Sequence, residues 1–177
     1  MLKNKIAVIT GSANGIGKAT AEIFVRENIE GIAIVDYNYE AACKTAEELG
    51  ACAFPVRCDV SDPEQVDAAI AQIMERFGRI DILVNNAGVS ESTPLLNYTE
   101  ELFDKVMDLN VKGVFNATRA ASECMVPRKT GVILSTSSMV SISGQPSGFA
   151  YPASKFAVNG FTLSLARELG PKGIRVN

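Results

Sequence analysis

Five short apolar runs punctuate the chain: KIAVIT (5–10), GIAIVD (31–36), ACAFPVRCD (51–59), IDILVNN (80–86) and GVILSTS (131–137). Their apolar positions are nearly continuous instead of alternating, as in parallel strands covered on both faces. Between them lie stretches with helical spacing, at about 16–28, 38–49, 62–77, 99–126 and 152–169. Strands alternating with helices predict βαβ units around a parallel sheet, an α/β fold of three layers. Two helix starts are marked chemically. SDPEQV offers Ser61 or Asp62 as a cap, with Pro63 in the first turn, and NYTEELF offers Thr99 ahead of two glutamates. No repeat, low-complexity tract or linker interrupts the pattern, so a single domain over residues 1–177 is expected.

Composition narrows the chemistry. Apolar residues make up 47% of the chain and charged residues 21%, enough apolar material for a packed core. No uncharged apolar run approaches the ~20 residues of a membrane span, and the N-terminal run leads into a glycine turn, which reads as a core strand and not a secretion signal. Net charge is −3 with no basic block, which argues against nucleic acid as a partner. The four cysteines, Cys43, Cys52, Cys58 and Cys124, form no CxxC pair and fit reduced thiols in a cytoplasmic setting. Histidine is absent, which excludes a Ser-His-Asp triad, a Cys-His dyad and His-ligated zinc; no metal site is expected.

The first strand runs into TGSANGIG, with glycines at 11, 15 and 17 where a helix opens. A glycine turn in this place lets backbone approach a pyrophosphate, and the helix N-terminus offers it free N–H groups. The spacing is GxxxGxG and not GxGxxG, so alone it reads equally as a plain glycine turn. Asp36 ends the second strand, 19 residues beyond Gly17. A carboxylate there can bind both ribose hydroxyls of NAD and repel the 2′-phosphate of NADP. Basic residues are missing beside it, since Asn14 precedes Gly15 and Tyr37 follows Asp36. The cofactor expected is NAD, with NADP disfavoured; the bland alternative is an aspartate that ends a strand for turn reasons.

Further along stand CDV (58–60), NNAG (85–88), LNVKG (109–113), STSS ending at Ser138, and YPASK (151–155), with Tyr151 thirteen residues after Ser138. In this order these motifs resemble the short-chain dehydrogenase/reductase family, in the manner of its NAD-dependent alcohol and 3-oxoacyl reductase members. The likeness covers essentially the whole chain. It implies a doubly wound parallel sheet, the Rossmann fold. It implies that Gly11, Ser12, Asn14, Gly15, Ile16 and Gly17 meet the cofactor, with Asp36 and Tyr37 at its ribose. Asp59 and Val60 would border the adenine, and Asn86, Ala87 and Gly88 the adjoining ribose. Asn110, Ser138, Tyr151 and Lys155 would be the catalytic set, with Ser138 and Tyr151 on the substrate oxygen and Asn110 in a water-linked proton relay to Lys155; Tyr151 and Lys155 would also meet the cofactor, Lys155 at the nicotinamide ribose hydroxyls.

The Tyr-xxx-Lys spacing has its own physical sense. Residues four apart share a helix face, so Tyr151 and Lys155 point into one space. Pro152 costs little because first-turn N–H groups have no helical partner. A free tyrosine titrates near ~10, and an ammonium nearby favours its anion. Without context, a tyrosine near a lysine on a helix is an ordinary surface pair, and Ser138 one serine of a polar loop. Asn110 shares a helical stripe with Phe103, Met107 and Val114, and a buried amide there can equally be a structural bridge.

The chain ends soon after an apolar run begins at Ile174. The family's next turn, substrate-covering segment and final strand have no counterpart, so a longer natural chain of about 250 residues is expected. The resemblance implies a small-molecule substrate, a secondary alcohol or ketone among 3-oxoacyl thioesters, steroids or bile acids, and sugars or polyols. MVSISG (139–144) and VSESTPLL (89–96) are candidate pocket walls. It also implies a homodimer or homotetramer built on the helices near 99–126 and 152–169. Two rival functions remain: a silent dinucleotide-binding sensor or scaffold, and an inactive truncated product.

Overall fold

In a computed structural model that describes residues 2–177, the apolar runs become β1 (Ile6–Thr10), β2 (Gly31–Asp36), β3 (Ala53–Arg57), β4 (Ile82–Asn85) and β5 (Gly131–Ser135). A further strand, β6 (Ile174–Val176), joins them in one sheet of order β3-β2-β1-β4-β5-β6. Every neighbouring pair is parallel. The sequence runs overshoot the strands at their ends because the flanking residues find other partners. Asn86, for example, donates its N–H to Thr10 Oγ1 and so leaves the ladder.

The helices are α1 (Gly15–Arg26), α2 (Tyr39–Leu49), α3 (Pro63–Phe77), α4 (Glu100–Met107), α5 (Gly113–Met125), α6 (Val140–Ser143) and α7 (Ala150–Leu169). Alternate strand residues feed two cores, one on each face of the sheet. Ala7, Ile9, Ile32 and Ile34 pack with Ala21, Ala42 and Ala46 of α1 and α2. Val8, Ala33, Val35 and Leu83 face Val66, Ile70 and Ile73 of α3, Ala117 and Ala121 of α5, and Leu169 of α7. None of the helices among the described residues is long and apolar enough to cross a membrane.

Capping follows the polar signals. Asp62 accepts from the Glu64 and Gln65 N–H groups, and Thr99 Oγ1 accepts from Leu102 N–H at 3.2 Å. The stretch 99–126 differs from the unbroken helix expected: a wide π turn, Asp108–Lys112, joins α4 to α5. Asn110 lies in that turn and is fully buried. Helix α7 begins two residues before the expected 152, which still leaves Pro152 in its first turn.

Because the strand order reverses between β1 and β4, the segments leaving these strands diverge. A crevice opens at the C-terminal ends of the strands, the usual ligand position in such sheets. At the opposite end, buried Asp81 accepts hydrogen bonds from Ile6 N–H, Arg79 and Arg128, tying β1, the start of β4 and the turn after α5 together.

Candidate active site

The crevice holds a cleft of about 740 Å³. Of the residues expected at a cofactor, Gly11, Asn14, Gly15, Ile16, Asp36, Tyr37, Asp59, Val60, Asn86, Ala87 and Gly88 line it. Ser12, Gly17, Tyr151 and Lys155 do not. Ser12 is buried, donating to Ile9 O and accepting from Val35 N–H, so it braces the turn from behind. Gly17 is a packing position: a Cβ there would lie 2.3 Å from Gly11 O and 2.7 Å from Asn86 Nδ2. Gly11 has φ +61°, and a Cβ on it would lie 2.7 Å from Ala87 Cα, so both conformation and space demand glycine.

Side chains from the neighbouring strands fix this turn. Asn86 Nδ2 donates to Thr10 O at 3.1 Å and Gly11 O at 2.9 Å. Asp36 accepts from Ala13 N–H and Asn38 N–H, one bond to each oxygen, which joins the turn to β2. Asn14, at the N-cap of α1, makes no side-chain capping bond, and α1 has no acidic residue in its first turn. The first N–H groups of α1 therefore open toward the cleft without an internal anion.

None of the four residues expected to be catalytic lines this cleft, but Asn110 and Lys155 lie directly behind its Gly88 wall. Asn110 holds the junction: Val89 N–H donates to its Oδ1 at 2.8 Å, and its Nδ2 donates to Val89 O at 2.9 Å and Ser154 Oγ at 3.0 Å. Its amide thus straps the segment after β4 to α7. Lys155, 5% exposed, donates from Nζ to Thr136 O at 2.8 Å, and its Nζ lies 5.7 Å from the Tyr151 ring centroid. A Cβ on Gly88 would sit 3.7 Å from the same Nζ, so the ammonium reaches the cleft wall. Burial holds Lys155 below the ordinary lysine value. Ser138 lies just before α6, its Oγ accepting from Val140 N–H at 3.4 Å.

Two other groups are set aside by their surroundings. Burial, with Glu91 close by, pushes Tyr98 up to about 12. Cys58, also on the cleft, is pushed to about 12 by burial and by Asp59 and Asp62, so it stays an inert thiol. The sequence reading missed cleft-lining Cys58, Ser61, Lys105, Asp108 and Leu109, as well as Thr136 and Ser154, and had Val89 only in a substrate-pocket wall. Residues 105, 108 and 109 were findable, since they recur at i, i+3 and i+4 ahead of Asn110.

The family model of the short chain dehydrogenase matches residues 5–177. The chain belongs to the short-chain dehydrogenase family. Members of the family are oxidoreductases acting on CH–OH groups, and this chain is one of them. Its similarity to a 3alpha-hydroxysteroid dehydrogenase from Mediterraneibacter gnavus is 50% identity, covering 100% of this chain and 72% of the relative. A 3-oxoacyl-(acyl-carrier-protein) reductase from Thermotoga maritima is 40% identical, over 99% of this chain and 72% of the relative. Among solved short-chain dehydrogenase-like folds, an NAD+-bound xylitol dehydrogenase superposes with a TM-score of 0.95 at 36% identity, covering 99% of this chain and 69% of that one.

Proposed function

We propose that this chain interconverts a secondary alcohol and a ketone with NAD(H), Tyr151 moving the proton. The observation that carries the proposal is the buried Lys155 ammonium beside the Tyr151 ring, at 5.7 Å from its centroid, where the cleft ends. The cleft suits a dinucleotide in size, in the uncapped α1 N-terminus and in the carboxylate of Asp36. Gly11, Asn14, Gly15 and Ile16 would hold its pyrophosphate, Asp36 and Tyr37 a ribose, and Asp59 and Val60 the adenine. A bound nicotinamide dinucleotide supplies the hydride acceptor or donor.

The protein's own groups do the rest. Tyr151 takes the alcohol proton during oxidation and returns it during reduction. Lys155 stabilises negative charge as it builds on the phenolic oxygen. Ser138 donates to the substrate oxygen, strongest where charge develops. Asn110, through Val89 and Ser154, keeps the two sides of the site in register.

Charge and polarity at the mouth favour a neutral, apolar substrate. Neither 89–98 nor 138–151 contains a lysine or arginine. Leu95, Leu96, Met139, Ile142 and Phe149, carried by these two segments, are all exposed. A hydroxysteroid or oxosteroid fits these walls better than a sugar, in keeping with the 3alpha-hydroxysteroid dehydrogenase relative. Nicotinamide absorbance, followed with steroids, 3-oxoacyl thioesters and polyols, tests both points. Tyr151→Phe is expected to lose about 10²–10⁴-fold in kcat while binding NADH as before. Equal rates for the two proteins would refute the mechanism, and binding without turnover in the wild type would favour a sensor. Fastest turnover of polyols would overturn the substrate reading.

Association belongs to the same proposal. Phe115 of α5 and Phe156 and Leu163 of α7 are exposed, and a homodimer or homotetramer would cover them. A solution mass of 18.9 kDa by light scattering would exclude it.

A further inference from the structure

The side-chain amide of Asn159 joins the segment carrying Ser138 to α7, beside the Lys155 bond to Thr136 O, and we propose that Asn159 is a positioning residue that holds Ser138 in register with Tyr151. The inference rests on the oxidoreductase reading above. Asn159 follows Tyr151 by eight residues and Lys155 by four, so the three share one face of α7. Ser137 Oγ donates to Asn159 Oδ1 at 2.7 Å. Asn159 Nδ2 donates to Ser141 Oγ at 3.0 Å. Ser141 Oγ in turn donates to Ser138 O at 2.5 Å, and Ser141 N–H donates to the same carbonyl at 3.1 Å.

Each hydroxyl carries one proton, so this chain has a direction. The amide oxygen takes the proton of Ser137, and the amide NH₂ leaves Ser141 free to aim its own at Ser138 O. Ser141 is buried, and a satisfied buried network is stiff. The chain thereby sets the spacing between two groups that must meet on one substrate oxygen: Ser138 from the segment after β5, and Tyr151 from α7. Asn159 reaches neither substrate nor cofactor in this reading; it acts through Ser141.

Asn159→Asp tests the direction of the chain with almost no change of shape. Its carboxylate keeps the acceptor for Ser137 but removes the donor, so Ser141 turns its proton to the carboxylate and releases Ser138 O. Steady-state kinetics and NADH affinity are measured on the full chain for wild type, Asn159→Asp, Asn159→Leu, Ser138→Ala, and both Asn159 changes combined with Ser138→Ala. The expectation is a fall of about 10- to 100-fold in kcat for Asn159→Asp, with NADH affinity unchanged within about twofold. Once Ser138 is alanine, the Asn159 changes should cost little more, because the group they position is gone. A purely structural role would give the same loss in both backgrounds; that result, or wild-type kcat in Asn159→Asp, overturns the proposal. Should Asn159→Leu fail to fold, Asn159→Asp alone decides. Tyr151→Phe separates the two readings. If it equals wild type, the proposed function falls and takes this inference with it. If it is inactive while Asn159→Asp is unaffected, only this inference falls.

Discussion

At the scale of single residues, Asp36 makes the sharpest statement about the cofactor. Each of its oxygens already accepts one backbone N–H, which fixes the carboxylate at the cleft wall with lone pairs to spare. Asp36→Asn keeps the size and loses the charge. NADH should bind about tenfold or more weakly, since a hydrogen bond to a charged group is worth about 1.5–3 kcal/mol. NADPH should bind more tightly, because the repulsion of a 2′-phosphate is gone. Fluorescence titration of both nucleotides checks this, and an unchanged ratio of affinities would count against Asp36 as the selector. Legibility at this scale was uneven. Asp59 came only from the family resemblance, whereas the cleft-lining glycines at 11 and 15 and the acid at 36 could be placed once spacing joined them. Ser12 and Gly17 could not, because a motif string does not say which side of a turn faces the ligand. Asn159 left no trace in the sequence either: its partners, Ser137 and Ser141, lie 22 and 18 residues away.

Elements were read well where local chemistry decides them. Asp62 caps α3 through two backbone N–H groups, so Asp62→Ala should cost about 1 kcal/mol, measured by urea unfolding, with the cleft unaltered. Strands β1 and β2 match their apolar runs almost residue for residue, because both faces are buried along their length. Segment ends fared worse. At 80–86 and 131–137 the last residues turn to side-chain partners that only the fold supplies, Asn86 N–H to Thr10 Oγ1 and Ser137 Oγ to Asn159 Oδ1. The π turn was invisible for a similar reason: Asn110 stood out as an amide in an apolar stripe, but its bonds to Val89 and Ser154 are tertiary. Helix α6 is four residues long, too short to show a period.

On the scale of the whole molecule, the end of the sheet remote from the cleft holds the structure together through Asp81. Burial alone would raise its carboxyl, but hydrogen bonds from Arg128, Ile6 N–H and Arg79 outweigh it and hold the group below the ordinary aspartate value. An unfolded aspartate titrates near ~3.9, so the stabilisation is complete above that pH and is lost as pH falls through the lower folded value. Asp81→Asn should therefore destabilise the protein at neutral pH by about 3 kcal/mol and flatten the acid limb of its stability profile below about pH 4. Urea unfolding at pH 7 and pH 3 reads both effects; an acid limb as steep as wild type would remove Asp81 from this role. The wide turn at Asp108–Lys112 has a different reach. An α-helix advances about 100° per residue, so deleting Val111 to regularise the turn would swing all of α5 round its axis. Asn116 would lose Val60 O, and Ala117 and Ala121 would leave the core. The surplus residue, once inserted, is thus a ratchet: the chain can drift in side chains around it, but its length there is frozen.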